Sequence, residues 1–128
     1  MSIQKVSTDK APAAIGPYSQ AIKAGDFLFV SGQLPIDPET GAFPDGGVKE
    51  QTYQVFINIQ HILADQGLDF TNVVKTTVLL DNIADFAIVN EIYGEYFAGE
   101  ILPARAAYAV DCLPKNALVE IEVIAYYG

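Results

Sequence analysis

Val73-Val74-Lys75-Thr76-Thr77-Val78-Leu79-Leu80 limits the possible folds of this chain more than any other stretch. Nearly all of it is β-branched or bulky and apolar. Such side chains crowd a helical turn and suit a pleated surface, so the run reads as a central strand. A stretch of helical period lies on either side of it. Upstream, Val48 to Gln66 places Val55, Phe56, Ile59, Ile62 and Leu63 on one stripe, and Gly67 follows as a C-terminal stop. Downstream, Asn82 with Asp85 three residues on resembles a helix cap. Phe86, Val89, Tyr93 and Phe97 then trace a second stripe that runs out at Gly99. The fold has to set a buried strand against two amphipathic helices.

The remaining strands follow from alternation and turn chemistry. Ile3 to Ser7 alternates and suits an edge. Ala21–Ala24 and Phe27–Val30 flank Gly25-Asp26, a two-residue hairpin signal. Phe27–Val30 is continuously apolar, which predicts burial on both faces. It ends in Ser31-Gly32-Gln33, where small residues let a ligand or another backbone come close. Leu34 to Gly47 reads as a loop rich in Pro, Gly and Asp. Arg105–Val110 and Leu118–Tyr126 read as two final strands around a turn at Leu113–Asn116. The expected architecture is one mixed α/β (α+β) domain spanning 1–128, with both helices on one sheet face. The other face is also apolar. A mean hydropathy of +0.24 is high for so small a domain, so a partner subunit is the simplest cover.

Seven basic residues against sixteen acidic ones give a net charge of −9, and the basic ones form no cluster. That argues against nucleic acid and against an anionic membrane surface as partners. No apolar run is long enough to span a bilayer, and the start of the chain does not read as a leader. A cytoplasmic or equivalent reducing location is expected. Cys112 is the single cysteine, so no intrachain disulfide can form, and one His with one Cys falls short of the usual zinc ligand count. His61 lies off the apolar stripe and reads as a solvated helix residue. Without a second His or a Gly-x-Ser-x-Gly motif, a Ser-His-Asp hydrolase lacks support.

Charge placed inside apolar strands is the functional signal. Arg105 opens a run of small and apolar residues after Leu102-Pro103-Ala104, and Glu120 and Glu122 sit within Val119–Val123. Charge in such surroundings is costly unless it is paired or has a job. A guanidinium receives a carboxylate through two parallel hydrogen bonds. Two readings stand. Arg105 holds a carboxylate-bearing molecule while Glu120 does acid–base chemistry, or the residues form an internal ion pair that only fixes the sheet. A simple hairpin of the last two strands would put Arg105 beside Ile124 or Ala125 and Glu120 about 15 Å away. Either those strands are not neighbours or the site joins different chains. Tyr18, directly after Gly16-Pro17, is either a core aromatic with its hydroxyl satisfied or a side chain hanging over a site, and position alone favours the core.

Several motifs together resemble one family. They are Ile15-Gly16-Pro17-Tyr18-Ser19-Gln20, Ser31-Gly32-Gln33-Leu34-Pro35-Ile36-Asp37, Val89-Asn90-Glu91-Ile92-Tyr93, Pro103-Ala104-Arg105, Leu113-Pro114 and Val119-Glu120-Ile121-Glu122. In this order and spacing they resemble the RidA (YjgF/YER057c/UK114) family over nearly the whole chain. The resemblance implies a chorismate-mutase-like fold with a mixed, mostly antiparallel sheet. It further implies a homotrimer with active sites between subunits, and a central strand separating the last two strands. The implied activity is hydrolysis of reactive 2-imino acids, in balance with 2-aminoacrylate or 2-aminocrotonate, to 2-keto acids and ammonia. No metal or organic cofactor is needed for it. Arg105 would hold the carboxylate and Glu120 would handle the attacking water. Tyr18, Ser31, the Gly32 backbone and Asn90 would line the cleft. Many members carry cysteine where this chain has Ala107, so a required thiol there is ruled out while a backbone contact survives. A non-catalytic module binding small keto acids is the alternative. A nuclease or translation inhibitor, reported for some relatives, fits the acidic charge less well, and a holdase role using apolar surface is a further option.

Overall fold

The β-branched run does form the strand that organises the sheet. The computed structural model describes residues 3–128. Its elements in order are β1 (Ile3–Val6), β2 (Ala21–Ala24), β3 (Phe27–Gln33), α1 (Val48–Asp65), β4 (Val73–Leu80), α2 (Phe86–Tyr96), β5 (Ala104–Ala109) and β6 (Val119–Tyr126). One sheet runs β1-β2-β3-β6-β4-β5. β4 and β5 are parallel and every other pair is antiparallel. A parallel pair needs a crossover, and α2 supplies it. β4 therefore separates β5 from β6, as the resemblance implies, and the simple hairpin does not form.

The helix stripes predicted from the sequence face the sheet. Val55, Phe56, Ile59, Ile62 and Leu63 of α1 are fully buried, and Val89, Ile92 and Tyr93 of α2 join them. They meet Leu28, Val30, Val78, Leu80, Val119, Ile121 and Val123 from the strands. Phe56 is the hub. It stacks on Tyr96 at 4.5 Å and meets Phe70, Tyr93 and Phe97 edge-on at about 6 Å. Truncating such a residue to alanine costs about 3–5 kcal/mol. Gly67, at φ +71°, ends α1 through its N–H to the Ala64 carbonyl, with Leu68 N–H to Leu63. Asn82 caps the short turn Ile83–Asp85 ahead of α2 rather than α2 itself. α2 stops at Tyr96, three residues before Gly99.

Both helices cover the same face, and the other face is open in the single chain. Phe27–Val30 is consequently not buried on both sides. Leu28 and Val30 point into the core, while Phe27 and Phe29 stand exposed. Tyr108 and Tyr126 are exposed on the same side. No helix among the described residues is long and apolar enough to cross a membrane.

Candidate active site

Register assigns each candidate side chain to a face. On β6 the burial alternates, with Val119, Ile121, Val123 and Ala125 inward and Glu120, Glu122 and Tyr126 on the open face. Thr76 of β4 pairs with Val123 and with Arg105, and Val78 pairs with Ile121 and with Ala107. Arg105 and Ala107 thus point to the helix side. Leu79 pairs with Glu120 on the open side. Arg105 and Glu120 of one chain lie on opposite faces of the sheet. They are also three residues out of register across two strand spacings, about 14 Å between their Cα atoms. Separating the final strands does not by itself bring the pair together. The internal Arg–Glu ion pair does not exist.

The first group of residues gathers at the β5 edge. Arg105 is exposed rather than buried, because β5 is the last strand of the sheet. Its Nη1 donates to Asn90 Oδ1 at 2.7 Å. The guanidinium carbon lies 4.7 Å from the centre of the Tyr93 ring and 5.3 Å from that of Phe86. Asn90 therefore does belong with Arg105. They meet because α2, the crossover helix between β4 and β5, packs beside the strand it feeds.

The second group surrounds Glu120. Between Val30↔Val123 and Gln33↔Ile121 the β3 strand carries two residues, Ser31 and Gly32, against the single Glu122 of β6. This is a β-bulge. It brings Gly32 under Glu120 so closely that a Cβ there would collide with the carboxylate, and would lie 2.9 Å from its carbon. Only glycine leaves the acid its position. Glu120 is half-buried, and this burial, helped by the nearby charge of Glu122, pushes its pKa above the ordinary carboxylate value. Ser31 Oγ donates to the Ser19 carbonyl at 2.6 Å, and Ser31 N–H donates to the Gln20 carbonyl at 2.9 Å. These bonds tie the bulge to the segment that carries Tyr18.

Tyr18 is a correction to the positional reading. It is 53% exposed and lines a cavity of about 280 Å³ together with Ile15, Gly32, Leu34, Ile36 and Lys115. The Gly16-Pro17 turn lifts it off the sheet, with Tyr18 N–H bonded to the Gly16 carbonyl.

Two buried amides hold these loops, and pattern reading missed both. Gln20 Nε2 donates to the carbonyls of Thr8, Ala11 and Pro12, and its Oε1 accepts from Thr8 N–H. Asn58 Nδ2 donates to the carbonyls of Leu34 and Ile36 just beyond the bulge. Asn58 sits next to the apolar stripe of α1, and an amide in that place is the signal that could have marked it. His61, read as solvated, bonds through Nδ1 to the Lys10 carbonyl at 2.7 Å and steadies the same entry segment.

The fold and these residues define an α+β protein with a guanidinium held by Asn90 at a sheet edge and a half-buried carboxylate over a glycine bulge. The profile of the Endoribonuclease L-PSP family matches residues 8–127. The chain is 55% identical to a RutC family protein of Pyrococcus abyssi, over 98% of each. It is 56% identical to the 2-iminobutanoate/2-iminopropanoate deaminase of Rattus norvegicus, over 96% of this chain and 89% of that protein. Its fold matches that of the Rid-family protein YyfA of Yersinia pestis with a TM-score of 0.94 at 48% identity, covering 97% of this chain and 98% of the other. The chain belongs to the Endoribonuclease L-PSP family, the RidA/YjgF group.

Proposed function

We propose that this protein hydrolyses 2-imino acids such as 2-iminobutanoate and 2-iminopropanoate to 2-keto acids and ammonia, at sites formed between copies of a single-domain chain. The observation that carries the reading is the placement of a carboxylate receptor and an acid of raised pKa on opposite faces of one sheet. Each chain offers two halves that only a second copy can join. The exposed aromatic residues of the open face, Phe27, Phe29, Tyr108 and Tyr126, favour assembly through that face. A homotrimer is the assembly the family resemblance implies. The deaminase name of the 56%-identical rat relative supports the reaction.

The chemistry then follows from the residues. Arg105 clamps the substrate carboxylate bidentately, and Asn90 keeps the guanidinium aimed. An enamine such as 2-aminocrotonate reaches the site as its imine tautomer. Glu120 of a neighbouring copy takes a proton from water as the oxygen attacks the imine carbon. It returns that proton to nitrogen to give the carbinolamine. It then takes the proton of the new hydroxyl and passes it to the amine as the C–N bond breaks and the C=O bond forms, releasing ammonia and the keto acid. A carboxyl pushed toward neutrality by burial suits both halves of that transfer. Tyr18, Ser31 and the Gly32 backbone bound the acidic half, and the small Ala107 stands beside Arg105 on the basic half. An imine carbon is already electrophilic, so positioning and one acid–base group suffice, and no cofactor enters the scheme.

The test is a coupled assay. Threonine dehydratase generates 2-aminocrotonate, and semicarbazide traps the imine that survives. The parent protein should suppress the trapped product and Arg105→Ala should not. A folded parent that leaves trapping unchanged would overturn the deaminase reading and favour a module that binds small keto acids. A cytoplasmic location and the absence of nucleic-acid partners belong to the same proposal, and the net charge of −9 supports the latter.

A further inference from the structure

We infer that Tyr93 and Phe86 are positioning residues for Arg105, and that Thr76 sets Tyr93 in place for that task. The inference rests on the proposed role of Arg105 as carboxylate receptor.

A carboxylate receptor on an exposed edge strand faces a difficulty. A free arginine side chain samples many rotamers, and fixing it on binding weakens affinity. The usual remedy, an acidic partner, would occupy the same donors that the substrate needs. This chain holds Arg105 without an acid. The Asn90 amide oxygen takes one N–H. The two aromatic rings, with the Tyr93 centre 4.7 Å and the Phe86 centre 5.3 Å from the guanidinium carbon, hold the group by cation–π contact. Cation–π contact uses no N–H donor, so it restrains the group while leaving the forked edge for a carboxylate.

The Tyr93 ring is itself tethered. Its hydroxyl shares a hydrogen bond with Thr76 Oγ1 at 2.8 Å, and both groups are buried. Thr76 is the residue directly beside Arg105 in the parallel β4–β5 ladder. One register position therefore fixes the backbone of the arginine and the far end of the ring beneath it. Phe97 packs against the same ring at 4.5 Å between centres and Phe56 meets it edge-on at 6.1 Å, so neighbouring aromatics restrain its tilt. The burial of Tyr93 fits an ordinary core aromatic, but a core role alone calls neither for a guanidinium over the ring nor for a threonine at the matching rung.

The experiment compares Phe86→Leu, Tyr93→Leu and Tyr93→Phe with the parent, using 2-ketobutyrate binding and steady-state imine hydrolysis. Phe86 is only partly buried, so its variant keeps the test open should Tyr93→Leu fail to fold. Each leucine variant should weaken 2-ketobutyrate binding and raise KM by about five- to tenfold, with kcat within about threefold of the parent. Tyr93→Phe keeps the face of the ring and loses only the Thr76 tether, so it should weaken 2-ketobutyrate binding by about two- to threefold, less than either leucine variant. A Tyr93→Phe variant that binds like the parent would overturn the part assigned to Thr76. Folded leucine variants that bind 2-ketobutyrate like the parent, or a loss confined to kcat, would overturn the positioning role and leave Arg105 as receptor. A parent that binds no 2-ketobutyrate, or an Arg105→Ala variant that still binds it, would remove the underlying reading as well.

Discussion

Arg105 and Glu120 of one chain point away from each other, from opposite faces of the sheet and three residues out of register across β4. Strand parity is discrete, since a side chain reaches the other face only if the register slips by one residue. Small motions within one chain cannot bring the two groups to one substrate.

Subunit complementation follows directly. Arg105→Ala and Glu120→Ala should each be inactive as pure assemblies. Mixed after subunit exchange, they should recover about a quarter of parent activity, the statistical share of junctions with both native halves. Activity that stays absent in verified mixed assemblies would mean that the two residues do not work across an interface.

Gly32 offers a second test, because the bulge leaves no room for a side chain beneath Glu120. Gly32→Ala must displace the carboxylate or the β3 backbone. The clash is with the end of a flexible, half-buried side chain, so the carboxylate moves first and the stability loss should lie at or below the low end of the roughly 1–3 kcal/mol of core overpacking. Activity should fall by at least tenfold at temperatures where the variant is fully folded. Thermal unfolding and kinetics measured on one preparation separate the two effects, and a folded variant with parent kcat contradicts the account.

The pH dependence has a definite sign. Burial and, after it, the charge of Glu122 raise the pKa of Glu120, so a base reaction through Glu120 gains activity as pH rises through that raised value. Glu122→Gln removes one negative neighbour and eases ionisation. The acidic limb of kcat/KM should move to lower pH, though not as far as an unperturbed glutamate, because burial is the larger cause. A limb that stays still or moves upward would exclude Glu120 as the titrating base.

The same shift has a consequence for stability. A group whose pKa is higher in the folded state stabilises fully below its unfolded pKa, and that contribution is lost as pH rises through the folded pKa. Ionised Glu120 is thus a liability to the fold. Glu120→Gln, which cannot ionise, should gain thermal stability relative to the parent as pH rises from the ordinary carboxylate range through the raised pKa of Glu120, while losing turnover. Melting curves across that range decide it, and a stability difference independent of pH would show that the ionisation of Glu120 is not coupled to folding.

The individual elements were legible in the sequence because periodicity is local. The stripe from Val55 to Leu63, the β-branched run of β4 and the parity of Glu120 and Glu122 along β6 each follow from residues close together in the chain. Turn chemistry at Gly25 and Gly67 was equally local, and both adopt the left-handed φ that their positions require. The motifs gave the family and, through it, the candidate residues. Exposure was not legible. Phe27, Phe29, Tyr18 and Arg105 lie on surfaces whose cover depends on how many elements pack against the sheet and on which side.

What the sequence determined by itself is the set of elements, their inward faces and the chemical types available for a site, since each depends on neighbours a few residues apart. Only the tertiary structure decided that β4 lies between β5 and β6, and that a bulge lays Gly32 under Glu120. Likewise, only there does α2 bring Asn90, Phe86 and Tyr93 to Arg105. Those facts depend on pairings between strands far apart in the chain, where one residue of register exchanges the faces of a whole strand. Such pairing is set by the sum of contacts across the sheet, and no short stretch of sequence carries that sum.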